Sequence, residues 1–357
     1  KTFATPSALI HSPSSVTSGG SNIGIGRLAG GNVTTANSNI YIGYAAGYGN
    51  QTGTNNTIVG NYSLSQTVGI VNFTNVTTLG WEAGYFATGS YNTFIGSEAG
   101  KGNSSAPYSS GQNNVAVGYQ ALVGFTTGGS NIAIGYEAGY LISSGSNNTV
   151  MGYQAGYSLG GTVMNVMIGD YAGRSSRVIN NRQVFVGHSA GRYVDTGVAN
   201  VAIGWHAMES AAGSTDNNAN NNVAVGYQAL EKITDADANT AVGKEAGQNI
   251  TTGNQNTFIG NNAGQYSVTS AQNVMVGLSA GLTATDVDKT VLIGWSAGKG
   301  ALTSAADGTI AIGYQALLEH TTGARNIAIG RDAMKGTNAG SNSLGSSDNI
   351  FIGDQAG

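Results

Sequence analysis

NIAIGYEAG, from Asn131 to Gly139, is followed 17 residues later by NTVMGYQAG, from Asn148 to Gly156. Outward from this pair the same cadence runs the length of the chain: NIGIGRLAG from Asn22, then NIYIGYAAG, NTFIGSEAG, NVAVGYQAL and NVMVGLSAG. Each copy holds Asn, a β-branched residue, a variable residue, an aliphatic residue and Gly, then two variable residues, Ala, and Gly or Leu. Nineteen glycines anchor the copies, from Gly26 to Gly353, and 11 of the 18 intervals between them are 17 residues long. The others differ from that length by a few residues, mostly as insertions. A fixed period over a whole chain marks a repeat architecture, and it overrides the two or three globular domains that length alone suggests.

The columns of the repeat read as one short strand and a turn. The position before the anchoring glycine is Ile, Val, Leu or Met in all 19 copies, and the position three before it is Ile, Val or Thr in all 19. Two such positions, with one residue between them, share a face of an extended strand. The residue between them points the other way. It is Ala in seven copies and large and apolar in ten, among them Ile58, Phe94, Phe185, Phe258, Leu292 and Phe351. A strand apolar on both faces is covered on both. One face fills the interior of its own coil and the other needs a partner, because an exposed strip of Phe, Ile and Met invites aggregation. The glycine that closes the strand fits a bend of positive φ or a close backbone approach. Ala stands three residues after it in 18 of 19 copies, Ser63 being the exception, so that site has room for one methyl group. Asn opens the strand in 15 of 19 copies. Stacked Asn side chains can bond in a ladder, and Asn also tolerates left-handed turns; both readings are structural.

A single short strand per repeat does not make a meander of hairpins. It fits an all-β fold, a parallel β-solenoid of about 19 coils, each laid on the one before at about 4.8 Å. The expected molecule is elongated, a rod of roughly 85–90 Å. Residues 22–357 form the continuous solenoid and residues 1–21 an N-terminal linker or cap. Longer intervals place polar insertions at Asn61 to Asn75, Gly102 to Asn113, Met208 to Asn221 and Lys335 to Asn349. Insertions in a solenoid project sideways and either carry contacts or are tolerated slack. The apolar face left outside the coil points to a parallel homotrimer around a common axis.

Composition narrows the function. The chain has 57 Gly, 3 Pro, no Cys and only 9% charged residues, against about 7% Gly and 25% charged residues in ordinary globular proteins. Disulfides, Cys-type zinc sites and thiolate chemistry are excluded. A net charge of −4 with 14 basic residues argues against nucleic-acid binding. No apolar run approaches the 18 or so residues of a membrane helix, so no membrane insertion is expected. The chain opens at Lys1 without a leader, as a mature product or an excerpt of a longer chain would.

The cadence of Asn131 to Ala138 and Asn326 to Ala333 resembles the YadA-like head repeats of trimeric autotransporter adhesins, and similar repeats occur in phage and large-virus tail or surface fibres. The resemblance covers residues 22–357. It implies a left-handed parallel β-roll, trimeric, outside the cell or on a virion. The adhesin repeats are usually shorter than this one, so a larger cross-section is expected here. Their neck, stalk and membrane anchor are not found in this sequence.

Candidate chemistry is sparse. The four histidines, His11, His188, His206 and His320, show no metal-ligand spacing. His188 and His206 read as exposed turn residues. Glu82, Glu98, Glu137 and Glu245 share the position two after the glycine with Gln120, Gln154, Gln228 and Gln315, which reads as a solvated edge rather than a row of catalytic acids. No carboxylate pair marks a glycan-cleaving cleft. Asp235 with Asp237, and Asp286 with Asp288, could hold Ca²⁺ at a turn, but a known calcium loop needs more oxygens. Glycine patterns such as GxG are by-products of the repeat, without the lysine and helix of a nucleotide site. Nine Asn-x-Ser/Thr sequons, including Asn32, Asn72, Asn75 and Asn103, occur at close to the chance number and carry no inference. Tyr44, Trp81, Tyr119, Tyr136, Tyr153, Trp205, Tyr227, Trp295 and Tyr314 each follow an anchoring glycine. Stacked in register they form a stripe for inter-chain packing or for sugar rings, packing being favoured.

The expectation is a non-enzymatic fibre or adhesin segment with no catalytic, cofactor or metal residues. Its partners are two further copies of itself and a host or environmental surface receptor, possibly a glycan. The alternative is a monomeric ice- or surface-binding solenoid. That needs an outward Thr-x-Thr ladder, and the pairs Thr126-Thr127, Thr251-Thr252 and Thr321-Thr322 fall in turns instead.

Overall fold

The computed structural model describes residues 10–11, 19–66, 71–105, 108–175, 182–210, 218–336 and 346–357. Most of the N-terminal stretch 1–21 and part of each of the four insertions lie outside the described residues. The chain divides into two compact units, Lys1–Asn181 and Arg182–Gly357. Each is a parallel β-solenoid built from three-residue strands, and the described residues hold no α-helix, only a short 3-10 turn at Ser304–Ala306. Among the described residues no helix is long and apolar enough to cross a membrane.

In the first unit the strands run from β2 (Ile23–Ile25) to β10 (Val166–Ile168), and β1 (Ile10–His11) pairs antiparallel with β2. In the second they run from β11 (Val184–Val186) to β20 (Ile350–Ile352). Within each unit neighbouring strands pair in parallel and in strict column register: Ile132, Ala133 and Ile134 of β8 (Ile132–Ile134) face Thr149, Val150 and Met151 of β9 (Thr149–Met151). The turn is laddered as well. Glu137 N donates to Tyr119 O at 2.9 Å and Gly139 N to Ala155 O at 2.9 Å, so the turn backbone also finds its partners on adjacent coils. That support holds the residue two after each glycine in left-handed backbone, as at Glu137 (φ +52°) and Gln154 (φ +50°), a region unusual for side chains of this kind.

The structure decides which strand face is inside, and it corrects the expectation of an outer Phe strip. The residue between the two aliphatic columns points into the coil: Tyr41, Ile58, Phe94, Phe185, Phe258 and Leu292 are all fully buried. The β-branched and aliphatic columns on either side of it form the outer face, where Ile132, Ile203 and Ile259 stay about two-fifths exposed. Ala three after the glycine lies inside, with Ala138, Ala155 and Ala229 fully buried.

A volume rule links two inner columns. Of the ten copies with a large residue in mid-strand, nine have Gly four after the anchoring glycine; of the seven with Ala there, five have Leu or Met. A Cβ on Gly191 would stand about 2.4 Å from the Phe185 ring, and one on Gly100 about 2.4 Å from the Phe94 ring. Where Ala202 or Ala224 leaves that space empty, Met208 or Leu230 fills it, fully buried. Close packing is thus kept by exchange between two positions of one coil.

The Asn column forms the ladder. Asn148 donates its backbone N and its Nδ2 to Asn131 Oδ1, each at 3.0 Å, and its Nδ2 also to Thr162 O at 2.9 Å. Asn165 repeats the arrangement on Asn148 at 3.1 and 2.9 Å. Left-handed backbone falls one residue earlier, at Ser130 and Asn147 (φ +57° and +60°), so the turn requirement does not explain the Asn. Asparagine is chosen because one buried side chain must accept two bonds and donate two, which an aliphatic residue cannot do. Departures keep part of the pattern: Gln183 Oε1 accepts from Asn200 N at 2.8 Å, and Thr290 donates N and Oγ1 to Asn273 Oδ1 at 2.9 and 2.7 Å.

One inner column carries a titratable outlier. Seven residues after the glycine the chain usually buries an apolar side chain, such as Phe125, Ile142, Leu159 or Ile250; Asn50 and Ser267 are fully buried polar exceptions, and the titratable one is His320, also fully buried. Asn326 Nδ2 lies 3.2 Å from its Nε2. Burial pushes the His320 pKa down, against a smaller upward pull from the Gly323 backbone. A histidine depressed in the fold binds its proton more readily when unfolded, so its share of stability is present above the ordinary value of about 6.5 and is lost as pH falls through the folded value. Stability measured by urea unfolding is therefore expected to fall from pH 7.5 to 5. In His320→Leu, whose Asn326 partner keeps Gly323 O and Ser346 O at 2.8 Å each, the profile flattens over the same range. Parallel profiles for the two proteins would remove His320 as the cause.

Candidate functional site

The surface with the clearest functional geometry is the outer wall of each unit. Alternation along the strand places three columns on it: the β-branched residue, the aliphatic residue before the glycine, and the residue after the glycine. The last is the aromatic stripe. Tyr119, Tyr136 and Tyr153 stack with ring centroids 5.3 and 5.1 Å apart, Trp205 lies on Tyr227 at 4.8 Å, and Trp295 on Tyr314 at 4.7 Å. Trp205 and Tyr136 remain about two-fifths exposed despite the stacking. In each unit the stripe and the aliphatic columns make an apolar band, interrupted in the aromatic column at Arg27, Asn61, Ser97 and Asp170 of the first and at His188, Lys244, Asn261, Arg331 and Asp354 of the second. Bands of this extent mark interaction surfaces.

The Glu/Gln edge is not a freely solvated row. These side chains are part-buried and bond along the coil stack with residues five after the glycine. Lys101 Nζ lies 2.6 Å from both Glu82 Oε2 and Glu98 Oε1. Burial opposes ionisation of Glu98, but Lys101 and Gln120 outweigh it and hold its carboxyl below the usual range. Burial likewise pulls Lys101 down, and the two carboxylates more than reverse it. Gln154 Nε2 donates to Glu137 Oε2 at 2.7 Å, and Gln265 Nε2 to Glu245 Oε2 at 2.8 Å. Carboxylates paired with amides and ammonium along one edge are not poised across a cleft for acid–base work.

His188 is exposed, as expected, but His206 is half-buried and contacts Glu209, its ring stacked on Trp205 at 3.5 Å. The side chain of His11 lies outside the described residues. Against the sequence reading of no ligand set, the fold closes His206, Glu209 and Glu231 into a trio whose ligand atoms lie within 4.8 Å of one another. Glu209 and Glu231 stand five after Gly204 and Gly226, and His206 two after Gly204, so stacking of the two edge columns brings them together. Arg192 Nη1 stands 3.5 Å from Glu209, while Gln228 and Gln248 each donate at 2.7 Å to Glu231. A guanidinium and two amides thus occupy the oxygens a cation would use, and the trio continues the edge ladder.

Three of the four aspartates considered for calcium serve the stack through their carboxylates. Asp237 Oδ1 accepts from Asn220 N at 2.7 Å, Asp288 Oδ1 from Ala271 N at 2.7 Å, and Asp286 Oδ1 from the Thr269 hydroxyl at 2.6 Å. Among the quoted sequons Asn72 and Asn75 are exposed, and Asn32 and Asn103 are half-buried. Comparison with known proteins gives no match: no family model, curated protein or solved structure aligns with the chain.

Proposed function

We propose that the chain is a non-enzymatic segment of a trimeric fibre or adhesin, displayed outside a cell or on a virion, that carries attachment surfaces away from the particle. The observation that carries this reading is the apolar outer wall, which the fold leaves uncovered in a single chain. Three parallel copies would bury it around a common axis, and closed rotational symmetry is the usual solution for identical subunits. The reading also draws on the resemblance of the repeat to trimeric adhesin heads. A stack whose strands and turns bond to neighbouring coils resists bending, which suits a part that works by reach. Any receptor contact then falls to the edges and insertions outside the axis, with surface glycans the favoured class.

Two charges on the wall test the assignment. Ile203 and Val242 are about two-fifths exposed in the single chain, so Ile203→Lys with Val242→Lys should leave the coil stack within about 0.5 kcal/mol of its stability per site. Around a trimer axis the same pair sets six ammonium groups against one another. The native mass is expected to drop from three chains to one, with the far-ultraviolet circular dichroism unchanged. An unchanged mass would remove the wall as the interface.

A further inference from the structure

The first unit carries a groove that neither the stack nor the wall explains. It is open, holds about 690 Å³, and spans four coils on the edge where the long interval from Gly96 to Gly118 displaces the chain. Its size falls in the range of small-molecule sites. One side is aromatic: Tyr85 and Phe86 meet edge to face at 4.5 Å, and Phe86 lies parallel to Tyr108 of the insertion at 6.3 Å. The other side is Tyr140, held flat by Tyr157 at 4.8 Å and 5°. Val123 and Gly124 lie between them, and Glu82, Lys101, Asn103 and Thr126 supply polar groups.

We infer that this groove is a binding site for a neutral oligosaccharide. The aromatic faces carry negative quadrupole and favour the C–H side of a sugar ring. The polar groups offer both donors and acceptors, as a ring bearing many hydroxyls needs. Charge selects against anionic ligands. Lys101 is already shared between Glu82 and Glu98 at 2.6 Å each, so the local charge is net negative and a phosphate, sulfate or sialic acid is repelled. The aromatic sides are fixed by stacking, which limits the ordering cost of binding. The groove lies on the coil edge rather than among the three wall columns, so its own chemistry stands apart from trimer formation. Its use in attachment rests on the proposed function.

The test is isothermal titration of the intact chain with neutral gluco-, galacto- and N-acetylglucosamine oligosaccharides, and with sialylated and sulfated counterparts. At least one neutral series is expected to bind saturably, at least tenfold more tightly than its anionic counterpart. Phe86→Ala and Tyr140→Ala should each weaken it tenfold or more, while Tyr314→Ala, on the wall of the second unit, leaves it unchanged. Melting curves confirm that the variants fold; if either does not, Lys101→Met provides a second probe and must also weaken binding. Failure of every neutral series to bind, or equal binding by the groove variants, overturns the inference. Native mass separates the two readings: three chains with no glycan binding removes the groove alone, and glycan binding by a single chain removes the trimeric fibre alone.

Discussion

Alanine in place of Gly135 is expected to destabilise the first unit by about 2–6 kcal/mol. Two penalties combine. Gly135 has φ +133°, a region open essentially to glycine, and forcing another residue there costs about 1–3 kcal/mol. Its Cβ would also stand about 2.4 Å from the carbonyl oxygen of Gly152 on the next coil. That oxygen belongs to the stack and cannot swing aside, so the overlap adds roughly 1–3 kcal/mol. Gly160 is the control: its φ is +56° and nothing lies within 4 Å of its Cβ position. Gly160→Ala should cost only about 1–2 kcal/mol for left-handed backbone. Guanidinium unfolding of the two variants compares them directly. Equal midpoints would mean that coil-to-coil approach at the anchoring glycine does not set the repeat.

The exchange between inner columns gives the second large effect. Phe185→Ala removes a fully buried ring and is expected to cost about 3–5 kcal/mol. Gly191→Leu alone drives a side chain into that ring, since even its Cβ would lie about 2.4 Å away. Together the two changes recreate what Ala224 and Leu230 already do within the same unit, with Leu230 accommodated at φ +51°. The double variant should recover most of the loss, a coupling of about 2–3 kcal/mol between the sites. Simple addition of the two single losses would contradict the packing rule.

That pairing also shows why one feature was legible and its neighbour was not. The period, the strand and the turn follow from columns that hardly vary, because backbone registry repeats them at every coil. Alternation alone says that Phe94 and Ile95 face opposite ways, but it does not say which is inside. The exchange of Phe with Leu across two positions of one coil would have decided it, since only side chains sharing one core compensate in volume. The Asn column points the same way, lying in phase with the mid-strand residue. The edge ladder was harder to read. Glu98 and Gln120 look interchangeable in sequence because either can bond to the residue five after the glycine, and that partner varies from Lys101 to Arg192, Glu231 and Gln248. The grouping of His206, Glu209 and Glu231 uses the same two columns, two and five after the glycine, whose contact across coils strand periodicity does not reveal.

The trimeric fibre stands or falls with the outer wall, and the mass of the native protein in solution tests it most directly. Light scattering on a size-exclusion column is expected to give three times the 36.0 kDa of one chain. A single species at 36.0 kDa would show the wall open to solvent and contradict the trimeric fibre, bringing a monomeric surface-binding solenoid forward in its place.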